Sequence, residues 1–254
     1  MKISPLVILA VSARRQAAAF VMAPSRVVIH LPSVNTVRSL AGSPTRNCID
    51  TGSQSHGLAA LPTAEDVSTD DFMKQLGHAS QIIPLLHPHT SDKEMNEEES
   101  ASLLEILSRQ FSHSDGIRGF FAVYLTSPES QTVDEVPNVL ANAVRGADTK
   151  IMVPLACMNV IMPTAMQSIH QDAELKECAS KTASNGKKIL RILKGNDEVI
   201  NNCKAISRVC EDAEKGPEEE GTDNLTEYWE KFFVNYKYEE QQKKDIALAV
   251  SEFC

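Results

Sequence analysis

The stretch FSHSDGIRGFFAVYLTSP, residues 111–128, sets His113, Ser114, Asp115 and Arg118 within six positions of one another. Those residue types offer a base, a hydroxyl, a carboxylate and a guanidinium, the ingredients of acyl transfer or of an anion pocket at a helix N-terminus. A Ser-His-Asp relay, however, needs three side chains that converge, and neighbours in sequence diverge. No GxSxG nucleophile elbow is present either. The stretch reads better as a cap, with Ser114 or Asp115 as N-cap of a helix over 116–125 that turns Phe120, Phe121 and Tyr124 to the core. A strand competes, because FFAVYLT is rich in aromatic and β-branched residues. If a ligand pocket exists, its candidate residues are His113, Asp115 and Arg118 together with Asn159 and His170.

Met158, Met162, Met166 and His170 follow one another at four-residue steps, with Cys157 alongside. Soft ligands on one helical stripe are suited to Cu(I). The same spacing is how a core helix lays down flexible apolar filler, and this is the reading we adopt. His78, His87 and His89 lie near a proline-rich turn and complete no familiar ligand spacing. No metal site and no cofactor are expected: Walker, GxGxxG, HExxH and kinase signatures are all missing. The six cysteines, Cys48, Cys157, Cys178, Cys203, Cys210 and Cys254, form no CxxC pair. Most read as small buried residues. Cys203 and Cys210 are too far apart along a helix to bridge, whereas Cys178 could reach either across a hairpin.

These side chains need helices to hold them. Asp71–Leu86 reads as a helix carrying Phe72, Leu76, Ile82 and Ile83 inward and broken by Pro84 and Pro88. Residues 92–111 begin acidic and end with Arg109, and Leu103, Leu104, Leu107 and Phe111 fall at helical spacing. EVPNVLANAVRG, 135–146, is a further helix, with Pro137 suited to its first turn. Residues 151–171 carry no charge for 21 positions, which is long enough to span a bilayer. Asn159, Thr164, Gln167, Ser168 and His170 dilute the run and two prolines interrupt it, so the centre of a bundle is expected instead. Residues 172–194 and 196–211 read as a helical hairpin broken at Gly195, with Val199, Cys203, Ile206 and Cys210 forming a stripe. Lys187, Lys188, Arg191 and Lys194 form a small basic patch.

After the charged linker 212–223, Asn224 opens a unit in which Leu225, Tyr228, Trp229, Phe232, Phe233 and Tyr236 follow an amphipathic pattern. Two readings stay open there. The stripe packs back on its own domain, or Trp229, Phe232, Phe233 and Tyr236 dock a protein partner. The fold class expected is all-α: a helical bundle over 71–211 with a buried central helix, followed by a two-helix C-terminal appendage over 224–254.

Charge is unevenly placed. Met1–Cys48 holds six basic residues and no acidic one. Removing those six from the 25 Lys and Arg leaves 19 against 34 Asp and Glu, a formal −15 for the remainder. Such a body repels phosphate backbones, so no nucleic-acid partner is expected.

The head, residues 1–49, reads as a targeting presequence joined to the body by a linker over 50–70. Lys2, the apolar ISPLVILAVSA and the small residues Ala17, Ala18 and Ala19 before Phe20 form one signal. An Arg-, Ser-, Thr- and Pro-rich stretch to Arg46 forms a second. This arrangement resembles the bipartite plastid presequence of diatoms and related algae, in which an aromatic residue follows the signal cleavage site. The resemblance implies a plastid protein, stromal once processed; with 151–171 read as a buried helix, no transmembrane helix is expected in the mature part. An acid-free, Arg-rich head also describes a mitochondrial presequence, which stands as the alternative.

From these readings the expected function is that of a non-catalytic soluble plastid factor for assembly, scaffolding or regulation. The alternative is an enzyme or small-ligand-binding protein with its pocket between residues 113 and 170. A fluorescent fusion of residues 1–60 is expected to enter the plastid of a diatom, and its Phe20→Ala version to stop short of it. Mitochondrial fluorescence from the unaltered fusion would remove the plastid reading.

Overall fold

A computed structural model describes residues 61–87, 95–211 and 223–254. The expected presequence, the first part of the linker after it, Cys48, His89 and most of the charged linker lie outside the described residues. Among the described residues every regular element is helical, so the competing strand over FFAVYLT is not formed. The helices are α1 (Ala64–Thr69), α2 (Phe72–Leu86), α3 (Glu97–Gln110), α4 (Ser114–Tyr124), α5 (Pro128–Thr132) and α6 (Asn138–Gly146). Then follow α7 (Thr149–Ile169), α8 (Ala173–Ile192), α9 (Asp197–Glu211), α10 (Asn224–Tyr236) and α11 (Glu240–Val250), with a 3₁₀ turn over Ser251–Phe253.

The bundle is organised around α7. Its residues Met152, Val153, Cys157, Val160, Ile161 and Ala165 are buried, and α4, α8, α9 and α11 all pack against it. By length and a mean hydropathy of 1.3 this helix meets the criterion for a membrane span, but here it is the core helix of a bundle. It stays helical through Pro154 and Pro163. Pro163 has no N–H to give to the carbonyl of Asn159 one turn earlier. That freed carbonyl faces Gly186 of α8, where an added Cβ would lie 2.5 Å from the Asn159 oxygen. Only a glycine lets the two backbones approach this closely.

The α8–α9 hairpin breaks at Gly195, which has φ 89°. Val199, Cys203, Ile206 and Cys210 are buried along α9, as the stripe predicts. Asn185 of α8 donates to the Leu125 carbonyl and the Ser130 hydroxyl, and Lys188 donates to the Val133 carbonyl. These bonds pin the segment that contains α5. The basic patch is thus largely occupied, since Arg191 also makes a two-pronged pair with Glu252 at 2.8–3.1 Å.

Several boundaries differ from expectation. Residues 64–69, read as linker, form α1, held by a capping box between Thr63 and Asp66 and by the fully buried Val67. Pro84 does not break α2, which continues to Leu86. Pro84 and Ser80, whose carbonyl loses its partner, are both exposed, so water can serve that oxygen. Phe72 and Leu76 are half-buried, not core residues. Pro137 occupies the N-cap position of α6 in place of its first turn. The two C-terminal helices belong to the same compact unit as the other described residues: α10 packs on α9, and α11 packs on both α7 and α9.

Gly186→Ala is expected to destabilise the fold by about 2 kcal/mol or more, because the Asn159 backbone must move. Gly77→Ala, at a helical position with nothing within 4 Å of an added Cβ, is expected to stabilise it by roughly 0.5–1 kcal/mol. Urea melts of the two variants check the pair of opposite signs.

Candidate functional site

His113, not Ser114 or Asp115, is the N-cap of α4. Its Nδ1 accepts from the Gly116 N–H at 3.2 Å, and its Nε2 lies 2.9 Å from the Val67 carbonyl at the end of α1. A carbonyl can only accept, so Nε2 carries the proton and the ring is the neutral Nε2–H tautomer. One imidazole thereby caps α4 and ties it to α1. Neither Ser nor Asp at this position could donate and accept across that span, which is why the histidine takes the role.

A buried amide pair completes this joint. Gln75 donates to the carbonyls of Val67 and Asp70 and accepts from Gln110 at 2.9 Å. The two carbonyl acceptors fix the orientation of the Gln75 amide, and that in turn fixes Gln110. Gln110 Oε1 is left buried without a hydrogen-bond partner.

The other expected pocket residues have their own settings. Asp115 and Arg118 pair with each other at 3.2 Å on α4, and the Arg118 guanidinium lies over the Phe72 ring at 5.5 Å. Asn159 is buried midway along α7, while His170 is the C-cap of that helix, its N–H donating to the Met166 carbonyl. Eleven residues of helix put those two about 16 Å apart along the axis. His113 turns toward α1, and its ring bonds the backbone groups of Val67 and Gly116.

The sulfur stripe is likewise divided. Met158 and Met162 pack on the core, Met166 is exposed, and the Cys157 thiol faces Cys203 of α9. Their hydrogen bond, with burial, pushes the Cys157 thiol well above its ordinary range. Cys178, which had the reach to bridge either α9 cysteine, is exposed and free. Among the described residues no three His, Cys, Asp or Glu side chains meet at metal-binding distance. His78 instead pairs with Asp70 at 2.9 Å, and His87 stacks on Tyr124.

The aromatic residues of α10 form a cluster with the C-terminal helices. Trp229 is fully buried and its indole N–H donates to Asn202 of α9 at 3.0 Å. Phe232 and Phe233 are buried beside it, and Tyr236 is half-buried against Phe232 at 4.6 Å. The stripe therefore packs on its own domain.

Sequence reasoning missed the surface beside this cluster. Helix α10 ends in a Schellman-type cap: the Tyr238 N–H reaches back to the Phe233 carbonyl, and Lys237 takes the left-handed conformation at φ 54°. Phe233 and Tyr238 meet edge to face at 5.2 Å, the apolar latch that accompanies such a cap. A glycine at 237 would have signalled the turn, but a lysine stands there.

Phe233 and Tyr238, with Val209 of α9, line the apolar part of an open cleft of about 310 Å³. Glu230, Val234, Lys237 and Lys243 complete its lining. Val234 is 72% exposed. Neither Lys237 nor Lys243 has an ion-pair partner among the described residues, whereas Lys231, Lys244 and Arg208 nearby are each paired with a carboxylate. Burial raises the Tyr238 phenol, and it pushes the neighbouring Cys210 thiol up to about 12.

Residues 79–253 match the family described as "Uncharacterised conserved protein UCP020893". The chain belongs to this family. The matched span runs from within α2 to the 3₁₀ turn and so contains both the α7-centred core and the cleft. No curated protein and no solved structure matches the chain.

The raised thiol and phenol make stability sensitive to alkali. Below the ordinary thiol value of 9.0, Cys210 is protonated whether the chain is folded or not, and its contribution is intact. Between about 9 and 12 the unfolded chain ionises while the folded one does not, so stability falls as pH rises. One such group accounts for at most about 1.4 kcal/mol per pH unit. Urea midpoints are expected to drop across this window, and to drop less steeply in Cys210→Ala combined with Tyr238→Phe. Identical slopes would contradict the assignment.

Proposed function

We propose that the mature chain is a non-catalytic plastid protein, soluble in the stroma, that works by docking a protein partner on the cleft between α10 and α11. The observation that carries this reading is the combination of an open apolar floor, the exposed Val234 and two lysines in the lining that have no ion-pair partner among the described residues. A surface meant only for water pairs its charges or leaves them scattered; this one gathers them around apolar area. The Arg-rich head supports the plastid location. Of the aromatic stripe, Trp229 and Phe232 are spent on the interior beside the cleft, and Phe233 reaches its floor.

The alternative, a small-ligand or catalytic pocket between residues 113 and 170, has less support. His113 is engaged in capping, Asp115 and Arg118 neutralise one another, and Asn159 and His170 stand about three helical turns apart.

A benzophenone side chain at position 234 of the mature protein, photolysed in plastid extract, is expected to give one dominant protein adduct. The same group at Ser80, exposed on the distant α2, is expected to give none of it. No adduct from 234, or the same adducts from both positions, would overturn the docking reading.

A further inference from the structure

Resting on that reading, we infer that the segment docked in the α10–α11 cleft is an acidic peptide with a bulky apolar anchor residue. The argument begins with charge. Three basic residues of the neighbouring elements are matched internally: Lys231 to Glu227 at 2.6 Å, Lys244 to Glu240 at 2.7 Å and Arg208 to Asp223 at 2.9 Å. Lys237 and Lys243 have no such partner among the described residues, although the chain carries a formal net charge of −9 and acidic residues are plentiful. Surplus positive charge on an acidic protein is complementary to carboxylates from elsewhere.

The backbone at Lys237 points the same way. At φ 54° a residue with a Cβ is less favourable than glycine, the usual occupant of this cap position. The cap itself gains nothing from the ammonium group beyond a weak interaction with the helix end. A lysine kept there adds its charge to the lining of the cleft. Lys243, in the opening turns of α11, faces the same space. The floor between them, formed by Phe233, Tyr238 and Val209, offers apolar contact but no polar depth. That arrangement fits a large apolar side chain seated beside flanking Asp or Glu residues, with Glu230, also in the lining, disfavouring a carboxylate next to it.

The probe is a fluorescein-labelled synthetic peptide of roughly twelve residues, about three helical turns, with glutamates on either side of a central Leu-Phe pair. Anisotropy is read against the full mature protein. The peptide is expected to bind, to weaken on the order of tenfold with either Lys237→Glu or Lys243→Glu, and to weaken as salt is raised. Its counterpart with lysine in place of glutamate is expected not to bind. Lys237→Gly removes the charge while relieving the backbone, so it is expected to melt higher than the parent protein and still to lose affinity. That separates lost binding from lost folding. Unchanged affinity in the charge-reversal variants, equal binding of the lysine peptide, or binding only to vesicles of anionic phosphatidylglycerol would each overturn the inference. An adduct at position 234 that persists while the glutamate peptide fails to bind overturns the acidic chemistry alone. Loss of both overturns the docking reading as well.

Discussion

A helix with no polar side cannot face water anywhere, and α7 is such a helix over most of its length. The remainder of the bundle follows from covering it. The α8–α9 hairpin, α4 and α11 all pack on it, and α11 also packs on α9. The two prolines sharpen the constraint, because each removes a backbone donor inside a buried element. At Pro163 the freed Asn159 carbonyl is met by the backbone of Gly186, so a close approach of two helix backbones coincides with the gap in the hydrogen-bond ladder. Gln242 of α11 adds a polar tether by donating to the Ala165 carbonyl, six residues further toward the C-terminal end of α7.

The first half of the described chain is held differently. There α1, α2, α3 and α4 converge on a few polar groups, Gln75, Gln110 and His113, that satisfy the carbonyls left over where α1 ends. Around them sits a ring cluster of Phe111, Phe120, Phe121 and Tyr124. Burial provides the attraction, and the amides fix which way the helices cross, since a buried amide tolerates few orientations.

Long periodic segments were legible in the sequence. The uncharged run became α7, the acidic-to-basic gradient became α3, and Gly195 divided α8 from α9. Short elements were not: α1 and α5 are too brief to show an apolar period, and their caps are local hydrogen bonds that loops also make. The choice of His113 over Ser114 as cap depends on Val67, which lies 46 residues earlier and becomes a neighbour only after folding. The cleft was hidden for a related reason. Its walls depend on a left-handed residue, and the sequence marks that position with a lysine where a glycine would have announced it. Trp229, Phe232 and Phe233 were correctly grouped by spacing, but spacing does not say whether a stripe faces its own core or a partner.

The joint between α9 and α10 has one more property. The chain contains a single tryptophan, and it is fully buried with its indole nitrogen bonded to Asn202. Its near-ultraviolet emission therefore reports on one place in the molecule and is not an average over many. Detachment of α10 wets that ring and shifts its spectrum to the red, whether or not the α7 core has opened. The protein thus carries its own optical gauge of the seam that supports the cleft.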